Sequence, residues 1–245
     1  GPETVAAFFA EPIMGAGGVI VPPATYFEKI QAVLRRHDVL FVADEVICGF
    51  GRTGNMWGCQ TFDIEPDIIT AAKALSSGYA PISALLISEP IYETLVGTSA
   101  QYGMFGHGFT YSGHPVSAAI ALETLNIYEE RDIVGMVRAV APRLQDGLRK
   151  STDSPIVGDV RGMGLIGAVQ LVRDKAAKEL FDPKDRVGLR LVERAQSYGL
   201  ITRSISDVVA FSPPLIISET EIDEMLDAFG RALKETEDWV AAGMP

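Results

Sequence analysis

The sequence predicts an α/β fold: a largely parallel sheet within residues 1–130 and a smaller α+β domain over residues 131–245. Three observations carry that prediction. Apolar runs at residues 5–10, 39–43 and 68–71 are continuous rather than alternating, as in strands covered on both faces of a parallel sheet. A helical pattern links the first run to the second, the strand–helix–strand unit that sets neighbouring strands parallel. After Arg131-Asp132, the strand patterns become short and lie among helical stretches.

The first strand is expected at residues 5–10. After Pro22-Pro23, the series Thr25-Tyr26-Phe27-Glu28 has the form of a capping box. Phe27, Ile30, Val33 and Leu34 then recur at helical spacing, so a crossover helix is expected. It delivers the second strand at 39–43, and a polar, glycine-rich loop leads to the third at 68–71. Residues 98–115 are rich in Gly, Ser and aromatics without periodicity, the composition of a long functional loop. Further on, helices are expected at 118–128, 133–148, 186–197 and 219–233, and strands at 156–160, 165–172 and 208–211. The last helix starts at Ser218-Glu219-Thr220-Glu221, a second capping box.

In the 245 residues, 21 basic against 32 acidic side chains give a net charge of −11 with the three histidines neutral. That sign argues against a nucleic-acid or anionic-membrane partner, since either would need a basic face to meet phosphate. With 47% hydrophobic and 22% charged residues, the chain can bury enough apolar area to offset its conformational entropy, and a folded protein is expected. No apolar run reaches the ~20 residues that cross a bilayer. Cys48 and Cys59 are too few for a disulfide framework, and residues 1–10 lack a charged-then-apolar leader, so a reducing, cytoplasmic location is the expectation. Those cysteines with His37, His107 and His114 have no zinc spacing, and no metal site is expected.

The chemistry gathers at strand ends. Each apolar run stops at or near an ionisable residue: Glu11, Asp44 and Lys73. Ligands of open parallel sheets sit at the carboxyl ends of the strands, so two carboxylates and an amine are expected around one crevice. One strand-end charge is ordinarily a cap or a solvated loop residue; three in register point further. Gly49, Gly51 and Gly54 also spell the dinucleotide fingerprint. That motif needs its glycines between a strand and the first turn of a helix, whereas residues 44–48 intervene and 55–59 lack helical periodicity.

Three segments carry a resemblance: Asp44-Glu45-Val46, Gly49-Phe50-Gly51-Arg52-Thr53-Gly54, and Pro66-Asp67-Ile68-Ile69-Thr70-Ala71-Ala72-Lys73 with Gly78 after it. With the 29-residue step from Asp44 to Lys73, they resemble the signature of the class III pyridoxal-phosphate aminotransferases of fold type I, and similar sequence continues through both halves of the chain. The resemblance implies a three-layer α/β large domain, of which residues 1–130 would be the C-terminal part, and pyridoxal 5′-phosphate as cofactor. It implies Lys73 as the Schiff-base anchor of the cofactor aldehyde. Freed by the substrate amine, Lys73 would then move a proton between Cα and the cofactor C4′. Only a neutral amine can do either, and burial or a neighbouring cation favours that form. Asp44 matches the partner of the pyridine nitrogen, which keeps the ring protonated to accept the electrons left at Cα.

Val46 resembles the side chain packed on one ring face. Thr110, in Gly108-Phe109-Thr110-Tyr111-Ser112-Gly113-His114-Pro115, resembles the threonine that binds the phosphate of the neighbouring subunit, which implies a homodimer. Arg203, in Leu200-Ile201-Thr202-Arg203, resembles the arginine that takes the substrate carboxylate through two parallel bonds. Glu11 matches a glutamate that in some members pairs with this arginine. It would neutralise Arg203 when the substrate lacks an α-carboxylate.

Ile47 stands where ornithine and γ-aminobutyrate enzymes carry a glutamine, and so resembles the ω-amino acid or amine:pyruvate subgroup. Trp57, with Phe50 and Tyr79, is a candidate to line an amine pocket, or else belongs to the core. The implied reaction moves an amino group from an amine or ω-amino acid to an α-keto acid, with pyruvate the expected acceptor, through a pyridoxamine phosphate form. Aminomutase or decarboxylase chemistry on the same residues is the alternative, as is an inactive chain serving only as a subunit. Family members carry about as much chain again upstream, including the segment that cradles the cofactor phosphate, and none of it can be located here. The expectation is a C-terminal portion that needs its N-terminal portion as partner for activity.

Overall fold

The computed structural model describes residues 1–244, which divide into two compact units. The first comprises Gly1–Pro12, Pro22–Gly51 and Asn55–Ile133; the second comprises Ile13–Val21, Arg52–Gly54 and the chain from Val134 on.

The first unit is built on a four-stranded sheet in the order β1 (Ala7–Ala10), β2 (Leu40–Asp44), β3 (Ile68–Ala71) and β4 (Ala84–Ile87). The first three strands run parallel, with Ala7 opposite Leu40 and Asp44 opposite Thr70. Helix α1 (Tyr26–Arg36) makes the expected crossover from β1 to β2. Its buried Phe27 stacks on Phe41 of β2 at 6.0 Å, and Cys59 and Ile64 complete that core. Gln31 ties the helix to the segment before β3, donating to the Asp63 carbonyl (3.0 Å) and accepting from the Glu65 N–H (2.9 Å). The short α2 (Gly58–Thr61), α3 (Glu89–Tyr102) and α4 (Pro115–Glu130) complete the unit.

Several expectations change here. β1 begins at Ala7 and is the outer strand of this sheet among the described residues, with Phe9 69% exposed rather than buried. Thr25 precedes α1 but does not cap it. At φ −104°, ψ 8° it lies outside the extended conformation that aims a cap hydroxyl at the first-turn amides, and no side-chain bond forms. β4 was not expected, since a four-residue apolar run reads equally as strand or helix; it pairs antiparallel with β3, so the sheet is mixed. Residues 98–102 belong to α3, and α4 starts at Pro115, which confines the long loop to 103–114.

In the second unit an antiparallel sheet runs in the order β5 (Val157–Met163), β6 (Ile166–Leu171), β8 (Val208–Phe211), β7 (Arg203–Ile205). α5 (Ile133–Arg149), α6 (Val187–Ser197) and α7 (Glu219–Ala241) pack with it. Leu144 and Leu148 of α5, Leu191 of α6, Ile222 and Phe229 of α7, and Val169, Leu171 and Val209 of the sheet form one buried core. The polar three-residue β7 escaped the sequence pattern. The Ser218 cap of α7 forms as expected: Ser218 Oγ accepts from the Glu221 N–H (3.2 Å), and the Ser218 N–H donates to the Glu221 carboxylate (2.7 Å).

Two arginines seat the short segments of this unit. Arg161 donates to the carbonyls of Gly18 (2.8 Å) and Val19 (3.2 Å). Arg52 Nη1 donates to those of Leu165 (2.9 Å) and Pro213 (2.6 Å), and the Leu165 N–H returns a bond to the Arg52 carbonyl (2.9 Å). The backbones approach so closely that a Cβ on Gly164, at φ +59°, would lie 2.3 Å from the Arg52 oxygen. Among the described residues, no helix is long and apolar enough to cross a membrane.

Candidate active site

Because β2 and β3 are parallel, both strands leave the sheet at the same edge. Asp44 ends β2 opposite Thr70, and Lys73 follows Thr70 by three residues. Asp44 is half-buried. Its Oδ1 accepts from the Val46 N–H (3.0 Å) and the Thr70 hydroxyl (3.3 Å), while Oδ2 takes no hydrogen bond among the described residues. Val46 is half-buried beside it.

Lys73 opens a 3-10 turn, Lys73–Ser76, in the left-handed region at φ +45°. A non-glycine residue keeps such a conformation only where its surroundings impose it, and such strain concentrates at functional sites. The turn is held from two sides: buried Ser76 donates to the Ala80 carbonyl (2.7 Å), and the Tyr128 hydroxyl on α4 donates to the Ala74 carbonyl (3.3 Å). Lys73 itself is exposed. The burial expected of an amine after an apolar strand is therefore not found. Strand pairing stops at Ala71, and the chain turns at Lys73 towards the exposed residues 77–79.

Behind Asp44, Glu45 is fully buried. Its Oε2 accepts from the Gly58 N–H (2.8 Å) and its Oε1 from the Cys59 N–H (2.6 Å). Burial pushes the Glu45 pKa up against these donors, which lower it. Burial, with Glu45 alongside, also pushes the Cys59 thiol up to about 12, so it stays protonated. Neither Thr70 nor Glu45 was singled out from the sequence. Both lie inside the quoted motifs, but only the strand register shows what they touch.

The other predicted residues are placed as follows. Glu11 is half-buried just after β1. Thr110 is exposed in the 103–114 loop. Arg203, in the second unit, begins β7 and is exposed, with no ion pair among the described residues. Trp57 packs on Phe50, with ring centroids 5.0 Å apart, beside the Phe27–Phe41 core. The glycines at 49, 51 and 54 do not open a helix: Phe50 and Gly51 both donate to the Met56 carbonyl, closing a turn, and α2 starts only at Gly58. The dinucleotide reading thus lacks the helix it needs. No group of three or more His, Cys, Asp or Glu could hold a metal among the described residues.

Comparison with known proteins bears on the same residues. The family described as aminotransferase class-III matches residues 1–233. Gamma aminobutyrate transaminase 3, chloroplastic, of Solanum lycopersicum is 52% identical over 240 residues, covering 98% of this chain and 46% of the relative. Vanillin aminotransferase of Capsicum annuum is 50% identical over 237 residues, covering 97% and 52%. The crystal structure of the omega transaminase from Pseudomonas jessenii in complex with PMP superposes with a TM-score of 0.96 at 52% identity, covering 99% of this chain and 54% of that one. The chain thus spans about half the length of the curated relatives it matches. Enzymes of this family depend on pyridoxal phosphate, and the structural neighbours have the fold type I architecture of that class. A match over nearly the whole chain, on a sheet that brings Asp44 and the Lys73 strand to one edge, leaves one assignment: this chain belongs to the class III aminotransferases.

Proposed function

We propose that this chain supplies the lysine, the ring-binding carboxylate and the substrate arginine of a pyridoxal-phosphate transaminase. The reaction moves an amino group from an amine or ω-amino acid to an α-keto acid, with pyruvate as acceptor. The supporting observation is the register of β2 and β3, which sets Asp44 opposite Thr70, three residues before Lys73. The residues present fit the cofactor: Asp44 Oδ2 is an acceptor without a hydrogen bond, and the Lys73 amine has no ion pair among the described residues.

When bound, pyridoxal phosphate supplies an aldehyde that captures amines and a pyridinium ring that takes up electrons from Cα. Lys73 would hold it covalently and would move a proton at Cα. Lys73 is exposed among the described residues. Asp44, with Oδ1 held by Val46 N–H and Thr70, offers Oδ2 to keep the pyridine nitrogen protonated. Val46 packs on a ring face, and Thr110 reaches the phosphate of the neighbouring subunit in a homodimer. Arg203 binds the carboxylate of the keto acid; Glu11 offsets its charge when a carboxylate-free amine is bound. Trp57 bounds the amine side.

Relatives named as γ-aminobutyrate, vanillin and omega transaminases support donors whose amino group lies away from an α-carboxylate, and apolar Ile47 favours pyruvate as acceptor. The part of those relatives that this chain does not span would be the partner needed for activity. A cytoplasmic location rests on the sequence alone, and relatives named chloroplastic and mitochondrial make an organelle the alternative.

An absorbance scan of the whole protein with pyridoxal phosphate tests the proposal. A visible band that borohydride bleaches, that an amine discharges and that pyruvate restores with release of alanine is expected. No band overturns the reading and leaves a subunit role. Carbon dioxide or an isomerised amino acid as product replaces it with decarboxylation or mutation of the same substrate class.

A further inference from the structure

We propose that Glu45 is a positioning residue for Asp44: it clamps the turn after β2 onto the start of α2 and onto β3, and so fixes the oxygen that Asp44 offers to the pyridine nitrogen. The inference rests on the role given to Asp44 above. Glu45 is pinned through both its side chain and its backbone. Each carboxylate oxygen takes a backbone N–H from Gly58 or Cys59, the Glu45 N–H donates to the Thr70 carbonyl (2.9 Å), and the Glu45 carbonyl accepts from the Gly49 N–H (2.9 Å). Gly58 permits the approach, since a Cβ there would lie 3.0 Å from Glu45 Oε2 and 2.7 Å from the Cys48 Cβ.

The consequence for Asp44 is direct. The N–H that holds Asp44 Oδ1 belongs to the peptide between Glu45 and Val46, so its direction is set once Glu45 is pinned. The second group on Oδ1 is the Thr70 hydroxyl, from the residue whose carbonyl Glu45 also engages. Both holds on Oδ1 thus pass through residues that Glu45 organises. Burying a carboxylate opposes folding unless hydrogen bonds offset it, and the buried Gly58 and Cys59 N–H groups supply them. The same bonds that offset its burial fix the peptide whose N–H holds Asp44, which is the positioning role.

The test uses the whole protein loaded with pyridoxal phosphate, with Glu45→Gln and Glu45→Asp beside Asp44→Asn. Gln keeps the volume but turns an amide donor towards backbone N–H groups; Asp keeps the charge but cannot reach both. A looser Asp44 holds the ring proton less well. The ring is then less positive, and the nitrogen linking Lys73 to it keeps its own proton to higher pH. The pH midpoint of the visible band should therefore rise by about one unit in the Glu45 variants, in the same direction as in Asp44→Asn. kcat should fall about tenfold, with the KM for the amine within about twofold. Folded Glu45 variants with an unshifted midpoint would overturn the proposal. So would failure of both variants to fold, because the contact would then serve folding alone. The proposed function fails separately, if the unsubstituted protein shows no band.

Discussion

Asp44 and Thr70 stand opposite one another at the ends of neighbouring parallel strands, and the Thr70 hydroxyl donates to the Asp44 carboxylate at 3.3 Å. The contact spans two segments that the sequence keeps 26 residues apart. It leaves one oxygen of Asp44 committed and the other available, the division of labour a ring-binding carboxylate needs.

Lys73→Ala in the whole protein should abolish the borohydride-sensitive band while the cofactor still binds weakly. Asp44→Asn should keep the band but lower kcat by about 100-fold or more, as expected when a charge that stabilises the transition state is removed. Thr70→Val should fall between wild type and Asp44→Asn, by about fivefold, the loss of one hydrogen bond of ~1 kcal/mol. Single-turnover kinetics would measure all three, and full activity in Asp44→Asn would refute its role.

Arg203→Ala should raise the KM for pyruvate by about 100-fold, the loss of a paired carboxylate, and leave that for a carboxylate-free amine nearly unchanged. Equal losses for both substrates in half-reaction assays would defeat the two-substrate arrangement with Glu11.

Gly164→Ala should destabilise the second unit by about 3 kcal/mol or more, because the new methyl would meet the Arg52 carbonyl and the Thr53 backbone, which are not flexible side-chain ends. A thermal melt within 2 °C of wild type, roughly the effect of a surface change, would contradict that packing.

Ser218→Ala should cost about 1 kcal/mol by removing one cap of α7. The Ser218 N–H and hydroxyl hold the Glu221 carboxyl below its ordinary pKa of 4.5, so its contribution is present above that value and is lost as pH falls through the lowered one. The gap in melting temperature between wild type and Ser218→Ala should therefore shrink on acidification.

Glu45 titrates in the opposite sense. Its folded pKa is raised above 4.5, so the folded chain holds a proton that the unfolded chain has released, and this contribution to stability falls as pH rises from 4.5 towards the raised value. Wild type should lose melting temperature relative to Glu45→Gln across that window; a gap independent of pH would show that Glu45 does not titrate with folding.

By itself the sequence determined the strands at 39–43 and 68–71, the crossover helix between the first two strands, the capped α7 and the ionisable residues at the strand ends. All of these depend on local periodicity or on a motif a few residues long. The tertiary structure decided the rest. Whether Thr25 caps, whether Phe9 is covered and whether Lys73 is buried depend on backbone angles and on what packs above each residue, which no local pattern encodes. The pairing of β4 and β7, the grip of Glu45 on Gly58 and Cys59, and the register of Asp44 on Thr70 join residues far apart in the chain. Such contacts exist only once the sheet has closed, because a strand's alternation fixes which face a side chain takes but not which residue it meets.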